Sequence, residues 1–402
     1  MPTVESRNPF AHLWGLDPEV AYLNHGSYGA CPRAVLEHQA RLRERLEREP
    51  VQFLTRDLEK LLDAAREEVA RFIGSDAEGL AFVPNATTAV NTILAAVDLR
   101  PGDELLTTNH VYPACRNALQ FVVERAGAKL VTARVPFPLR GDDDVVEPVL
   151  AAATPRTRLA LLDHVTSPTA VIFPVERLVR DLRERGIETL VDGAHAPGML
   201  PLDIGRIGAA YYTGNAHKWL CAPKGAAFLS VREDRREGLH PLVISHGFSA
   251  PFSTRSRFRR EFDWTGTADP TAALSIPEAI RFLAGQVPGG WTEIMNRNRG
   301  LAVRARGMIA EALGVEPPCP EEMLGATASV LFPALAPGSP AHTKKADDLA
   351  AFLFERRRIE SWFYPWPCPG GQIVRVSAQL YNTPNEFARL AEAVRDIVRG
   401  TI

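Results

Sequence analysis

The chain has 402 residues, 46% of them hydrophobic, with 46 Lys and Arg against 48 Asp and Glu and a formal net charge of −2 at pH 7. A balance so close to neutral carries no basic stripe for nucleic acid or an anionic membrane surface, and no run of about 18 apolar residues is present to span a bilayer. The opening MPTVESRNPFAHLW lacks a basic stretch followed by an apolar one, and the five cysteines are scattered without metal spacing; both predict a reducing cytoplasmic setting with no leader and no metal site.

From Pro32 to Ile73 apolar residues recur at helical spacing amid Arg and Glu, with Pro50 set to break the run. Short β-rich runs then alternate with helical stretches. Strands are predicted at 80–84 (LAFVP), 103–108 (DELLTT), 129–135 (KLVTARV), 158–165 (RLALLDHV), 188–193 (ETLVDG), 209–213 (AAYYT) and 226–231 (AAFLSV). ILAAV, CRNALQFVVERAG and VERLVRDLRERG read as the helices between them. Such alternation predicts an α/β fold, a mostly parallel sheet covered by helices on both faces, in a large domain over residues 16–284. GQVPGGW near 285 reads as a linker. Beyond it the pattern gives a long helix (291–314), the strand ATASVLF, the helix KADDLAAFLFERRR, the strand QIVRVSA and a last helix opened by Thr383, Pro384 and Glu386. Residues 285–402 are thus predicted as a small α+β domain on which the amino-terminal 15 residues pack.

Ligands of open α/β sheets collect at the carboxyl ends of strands, and the chemistry-bearing residues sit at those ends. Asp192 closes the apolar run of ETLVDG, followed by His195. The next strand delivers NAHK, with Asn215, His217 and Lys218. Lysine is rare here: six residues (60, 129, 218, 224, 344, 345), the other basic side chains being arginine. An arginine cannot be deprotonated, whereas a lysine amine can become a nucleophile. In PNATTAVNT, Thr87 and Thr88 open a helix whose first amides suit a phosphate, although an ordinary Asn/Thr cap has the same pattern. Arg375, on the strand QIVRVSA, suits a structural acid or a substrate carboxylate. Pyridoxal 5′-phosphate accounts for all of these together. It needs an amine for its aldehyde, a carboxylate for its ring nitrogen and a helix start for its phosphate.

These motifs resemble the class V aminotransferase family of fold type I pyridoxal phosphate enzymes, and within it the isopenicillin N epimerase-like branch that includes C–S lyases. The likeness runs through YLNHGSYGACP, NATTAVNT, VDGAHAPG, YYTGNAHKWLCAPKG, the WTGT of 264–267 and RVSAQLYNT. It implies a large cofactor domain and a small carboxyl-terminal one. It also implies that Lys218 is the Schiff-base lysine, that Asp192 faces the ring nitrogen, and that His195 lies near the ring hydroxyl. Thr87, Thr88, Asn215 and His217 are implied as phosphate ligands. Thr267 resembles a residue that reaches the phosphate of a second subunit, which implies a homodimer. His110, in TTNHVYPACRN, matches the ring-stacking histidine of related desulfurases; Tyr112 is the alternative for that place, or a proton donor beside it. Arg375 matches the arginine for the substrate α-carboxylate, with Asn24 and His25 at the same entrance. Cys368, in PWPCPGG, is spaced differently from the reactive cysteine of desulfurases, so a persulfide-forming reaction is not predicted. Lys224 is expected only to carry charge near the phosphate or the surface.

With Lys218 as base at Cα, the reading that follows is β-elimination from a cysteine S-conjugate or related amino acid, with Tyr112 or His110 as donor to the leaving sulfur. Epimerisation is the alternative, transamination a further one, and a cofactor-binding scaffold without turnover the reading from another class. The arginine-rich segment SHGFSAPFSTRSRFRREF and FYPWPCPGG are expected to line the entrance, the former hinting at an anionic substrate.

Overall fold

The computed structural model describes residues 8–249, 255–333, 346–366 and 372–399. Strand β1 (Ala21–Tyr22) leads into a single turn, α1 (His25–Tyr28), and then into α2 (Arg33–Arg48). Pro50 interrupts the helical run as predicted, but it restarts it at once. It occupies the first position of a turn, Pro50–Gln52, where its missing N–H has no partner to lose, and the chain continues into α3 (Leu58–Ile73).

The strands that follow are β2 (Leu80–Val83), β3 (Glu104–Thr108), β4 (Lys129–Ala133), β5 (Thr157–Asp163), β6 (Glu188–Asp192), β7 (Tyr211–Asn215) and β8 (Ala227–Val231). They form one sheet in the order β2-β8-β7-β6-β5-β3-β4, parallel except that β8 runs against both neighbours. Every residue of β3 and β8 is buried, as a sheet covered on both faces requires. The covering helices are α4 (Ala86–Ala96), α5 (Pro113–Ala126), α6 (Asp143–Ala152) and α7 (Val175–Arg183). Of these, α6 has no counterpart among the predicted elements; Pro148 lies inside it and obscures its helical character.

Helix α8 (Ile276–Ala284) precedes α9 (Gly290–Leu313), a 24-residue helix that packs on the carboxyl-terminal part. There, β9 (Thr327–Phe332), α10 (Ala346–Arg357), β10 (Ile359–Glu360), β11 (Trp362–Pro365), β12 (Gln372–Ser377) and α11 (Pro384–Arg399) follow. An antiparallel sheet of order β11-β12-β9 carries Arg375, while β10 pairs in parallel with β1. Glu386 accepts from the Thr383 N–H at 2.6 Å, the reciprocal cap expected at the start of α11. Asn8 Nδ2 donates to the carbonyls of Leu380 and Asn382 at 2.8 and 2.9 Å, and the Trp14 and Tyr381 rings meet edge to face at 5.1 Å. These contacts hold the amino-terminal segment against the residues that follow β12.

The turn after α1 touches the loop after β7, and that contact positions the cavity. Gly29 has φ +69°, and a Cβ there would lie 2.1 Å from the His217 carbonyl oxygen and 2.9 Å from Lys218 Cα. Both the conformation and the space therefore demand glycine. Gly29→Ala is expected to lower stability by about 1–3 kcal/mol. Thermal or urea unfolding checks this; an unchanged midpoint would show that the turn moves freely away from the lysine loop.

Candidate active site

A cavity of about 180 Å³ opens at the carboxyl ends of β5, β6 and β7. Asp163 ends β5 and Asp192 ends β6. The two are register partners in a parallel pair, so their side chains lie side by side on one face. Asp192 Oδ1 accepts from the Ala194 N–H at 2.9 Å, and its Oδ2 accepts from the Cys115 thiol at 3.3 Å. Asp163 Oδ2 is buried and has no hydrogen-bond partner among the described residues. Burial, and then the neighbouring Asp192 charge, push the Asp163 carboxyl well above the usual carboxylate range.

Lys218 follows β7 on a loop whose backbone is pinned from two sides. Its carbonyl accepts from His25 Nε2 at 3.1 Å, and His25 Nδ1 meets the Tyr381 hydroxyl at 2.8 Å. Inside the cavity, Lys218 Nζ lies 2.9 Å from His195 Nε2. Burial, with Arg375 second, lowers the amine to about 7, which leaves a large free-base fraction at neutral pH. His195 is held well below its ordinary value by burial and then by Lys218, so its ring is neutral.

Arg375 is 1% exposed. Its guanidinium donates to the Ser167 carbonyl at 2.6 Å, Ser27 Oγ at 2.8 Å and Asn24 Oδ1 at 3.3 Å, and it lies over the Tyr364 ring at 5.0 Å. No carboxylate of the described residues pairs with it, and its Nε has no partner among them. A buried cation satisfied only by neutral oxygens is suited to a carboxylate that arrives with a ligand.

Of the residues singled out from sequence, Lys218, Asp192, His195, Thr87, Asn215, His217 and Tyr112 border the cavity together. Others lie elsewhere. The Thr88 N–H and hydroxyl both go to Asn85 Oδ1, so Thr88 closes the cap of α4 instead of facing the cavity. Asn215 Oδ1 accepts from the Ala86 N–H at 2.9 Å, tying β7 to the start of α4. His217 Nδ1 donates to the Ala226 carbonyl at 3.1 Å, and burial lowers its ring to about 4.

His110 does not face the cavity. It is fully buried among Phe137, Phe173 and Trp366, with Nδ1 2.7 Å from Thr169 Oγ1 and Nε2 3.2 Å from the Val135 carbonyl. Tyr112, 39% exposed, has the cavity position. His25 holds the Lys218 backbone and is fully buried, so it is not an entrance residue; Asn24 is buried too and orients Arg375. Lys224 donates to the Gly29 carbonyl.

The arginines of 255–260 do not line the cavity. Arg255 and Arg259 pair with Asp63 and Asp263, and Arg257 with Glu261, an ion network that ties this segment to α3. Thr267 is exposed and away from this chain's own cavity. Cys368 and its neighbours 367–371 lie outside the described residues. Asp163, Ser27, Tyr28 and Ser167 are cavity residues that the sequence reading did not single out. Asp163 had a usable signal, since it closes an apolar strand just as Asp192 does.

The arrangement fits a cofactor with a carbonyl, a cationic ring nitrogen and a phosphate. An amine lowered to about 7, a pair of carboxyl groups with one oxygen unpartnered among the described residues, and the start of α4 bordered by Thr87, Asn215 and His217 meet in one cavity.

The aminotransferase class-V profile matches residues 31–390. The chain is 38% identical to the isopenicillin N epimerase of Streptomyces clavuligerus, over 94% of this chain and 95% of that one. It is 31% identical to a probable chloroplastic L-cysteine desulfhydrase of Arabidopsis thaliana, over 98% and 86%. The cystine C–S lyase C-DES, solved in complex with its product cysteine persulfide, superposes with a TM-score of 0.78 at 21% identity, covering 94% of this chain and 97% of that one.

The raised Asp163 carboxyl has a measurable consequence in cofactor-free protein. An acid whose folded value exceeds its unfolded one of about 4 is favourable below that pH, and its contribution is lost as pH rises through the folded value. Asp163→Asn is therefore expected to match the parent near pH 4 and to melt higher by roughly 2–4 °C at pH 8. Melting curves across pH check this; a constant difference at all pH values would contradict a protonated Asp163.

Proposed function

The chain belongs to the class-V aminotransferase family, and we propose from that premise that it eliminates a β-substituent from an amino acid with a free α-carboxylate, acting as a C–S lyase on a cysteine S-conjugate or related compound. It is a pyridoxal phosphate-dependent enzyme. No helix among the described residues is long and apolar enough to cross a membrane.

One observation carries the reading: a lysine amine lowered to about 7, 2.9 Å from a neutral imidazole, lines a cavity whose Ser27 and Ser167 are bonded to a buried arginine with no acid partner among the described residues. When bound, the cofactor supplies an electron sink for the bond broken at the substrate α-carbon. Asp192 would balance the charge of the ring nitrogen. Thr87, Asn215 and His217 would hold the phosphate at the start of α4. Arg375 takes the α-carboxylate in a two-pronged grip, kept in place by Asn24, Ser27 and Ser167. Lys218 removes the α proton, its value near 7 matched to that work. The Tyr112 hydroxyl, raised chiefly by burial, stays protonated at neutral pH and donates to the leaving sulfur. Loss of the Cα–H and Cβ–S bonds releases a thiol, and hydrolysis of the remainder gives pyruvate and ammonia.

Epimerisation is the second reading, supported by the 38% identity to an isopenicillin N epimerase. A homodimer is part of the proposal, with Thr267 reaching the partner's phosphate. The exposed apolar side chains of Leu242, Val243, Ile244 and Phe248, close in sequence, suit burial against a second copy.

Incubation with L-cysteine and its S-conjugates is expected to release pyruvate in proportion to thiol. Accumulation of the D-amino acid without pyruvate would overturn the elimination. Arg375→Gln is expected to lower kcat/KM on the order of 10²-fold or more, because charge-assisted hydrogen bonds to the substrate are lost. Steady-state kinetics check this; a change under about threefold would place the carboxylate elsewhere.

A further inference from the structure

We propose that Trp219 is a positioning residue for the lysine: its indole N–H fixes the tautomer of His195, and His195 in turn keeps the Lys218 amine in its free-base form. The inference rests on Lys218 being the group that meets the cofactor's carbonyl, but its test does not involve the cofactor.

The argument is one of donors and acceptors. Trp219 Nε1 lies 3.4 Å from His195 Nδ1, and an indole nitrogen only donates. Nδ1 must then accept. A neutral imidazole with an accepting Nδ1 carries its proton on Nε2, the nitrogen 2.9 Å from Lys218 Nζ. Nε2–H donates, so the amine must offer its lone pair, which only the unprotonated amine has. The opposite tautomer would set two N–H groups against each other at Nδ1, and would leave an acceptor that favours the ammonium.

The geometry is enforced by packing. Trp219 is fully buried, with the His25 ring tilted against it at 5.0 Å. A Cβ on Gly26 would lie 2.9 Å from Ser377 Oγ and in ordinary contact, at 3.4 Å, with both His195 Cε1 and Trp219 Cζ2, so α1 packs directly on these two rings. The other groups that act on the amine are Arg375, which disfavours its charge, and Asp192, Cys115 and Asp163, which favour it; Arg375 and His25 act on the imidazole. The lowering of Lys218 to about 7 is in keeping with the free-base form.

The test is the pH profile of acetylation of Lys218 by acetic anhydride, read by peptide mass spectrometry in the full-length protein freed of bound carbonyl compounds. Trp219→Phe keeps an aromatic ring but removes the donor, so His195 is free to present an accepting Nε2. The midpoint for Lys218 is expected to rise by about one pK unit. In a His195→Gln background the same change is expected to shift it by less than about 0.3 unit, because an amide needs no tautomer to donate. No rise, or equal rises in both backgrounds, would overturn the proposal, the latter by reducing Trp219 to a filler of space. Imidazole nitrogen NMR of the parent protein gives an answer even if Trp219→Phe fails to fold. A proton on Nε2 of His195 supports the proposal, and one on Nδ1 sinks it.

Discussion

An amine among other buried groups must either keep its charge and find an anion or give up its proton. The cavity moves Lys218 toward the second outcome. Burial and the guanidinium of Arg375 oppose the ammonium and lower the amine to about 7, with its Nζ 2.9 Å from His195 Nε2. Much of the surrounding architecture serves that condition. Gly29 lets the turn after α1 approach the lysine loop, and His25, itself held by Tyr381, clamps its carbonyl.

The same logic accounts for what is costly in the site. Two aspartates on adjacent strand ends, an arginine with only neutral oxygens around it and three neutral histidines form an arrangement a purely structural core would avoid. In the proposed function each of these groups has a counterpart in the ligands: a substrate carboxylate for Arg375, the ring nitrogen for Asp192 and a carbonyl for Lys218. On that proposal the ligands would complete electrostatics that folding leaves open, at some expense to the stability of the cofactor-free protein.

Much of this was legible in the sequence because two periodicities do not interfere. Strand runs such as ETLVDG and AAFLSV lie within a residue or two of β6 and β8, and Asp192, His195 and Lys218 fall where strands end. What was not legible is side-chain direction on loops. His110 and Tyr112 are two residues apart in TTNHVYPACRN, yet one is buried among aromatic rings and the other meets the cavity. The arginines of 255–260 suggested an anion-binding entrance, but acids on α3 and within 261–263 neutralise Arg255, Arg257 and Arg259. His25 reaches the carbonyl of a residue 193 positions away, and Asp163 gains its meaning only from register with Asp192. Such long-range contacts leave no local signature.

The central claim is that Lys218, and not the neighbouring Lys224, is the amine presented to a carbonyl. Borohydride reduction of the protein incubated with pyridoxal phosphate, followed by peptide mapping, tests it directly. The account predicts one phosphopyridoxyl group, on Lys218. A label on Lys224, which here is tied to the Gly29 carbonyl, or no stoichiometric label at all, would contradict it.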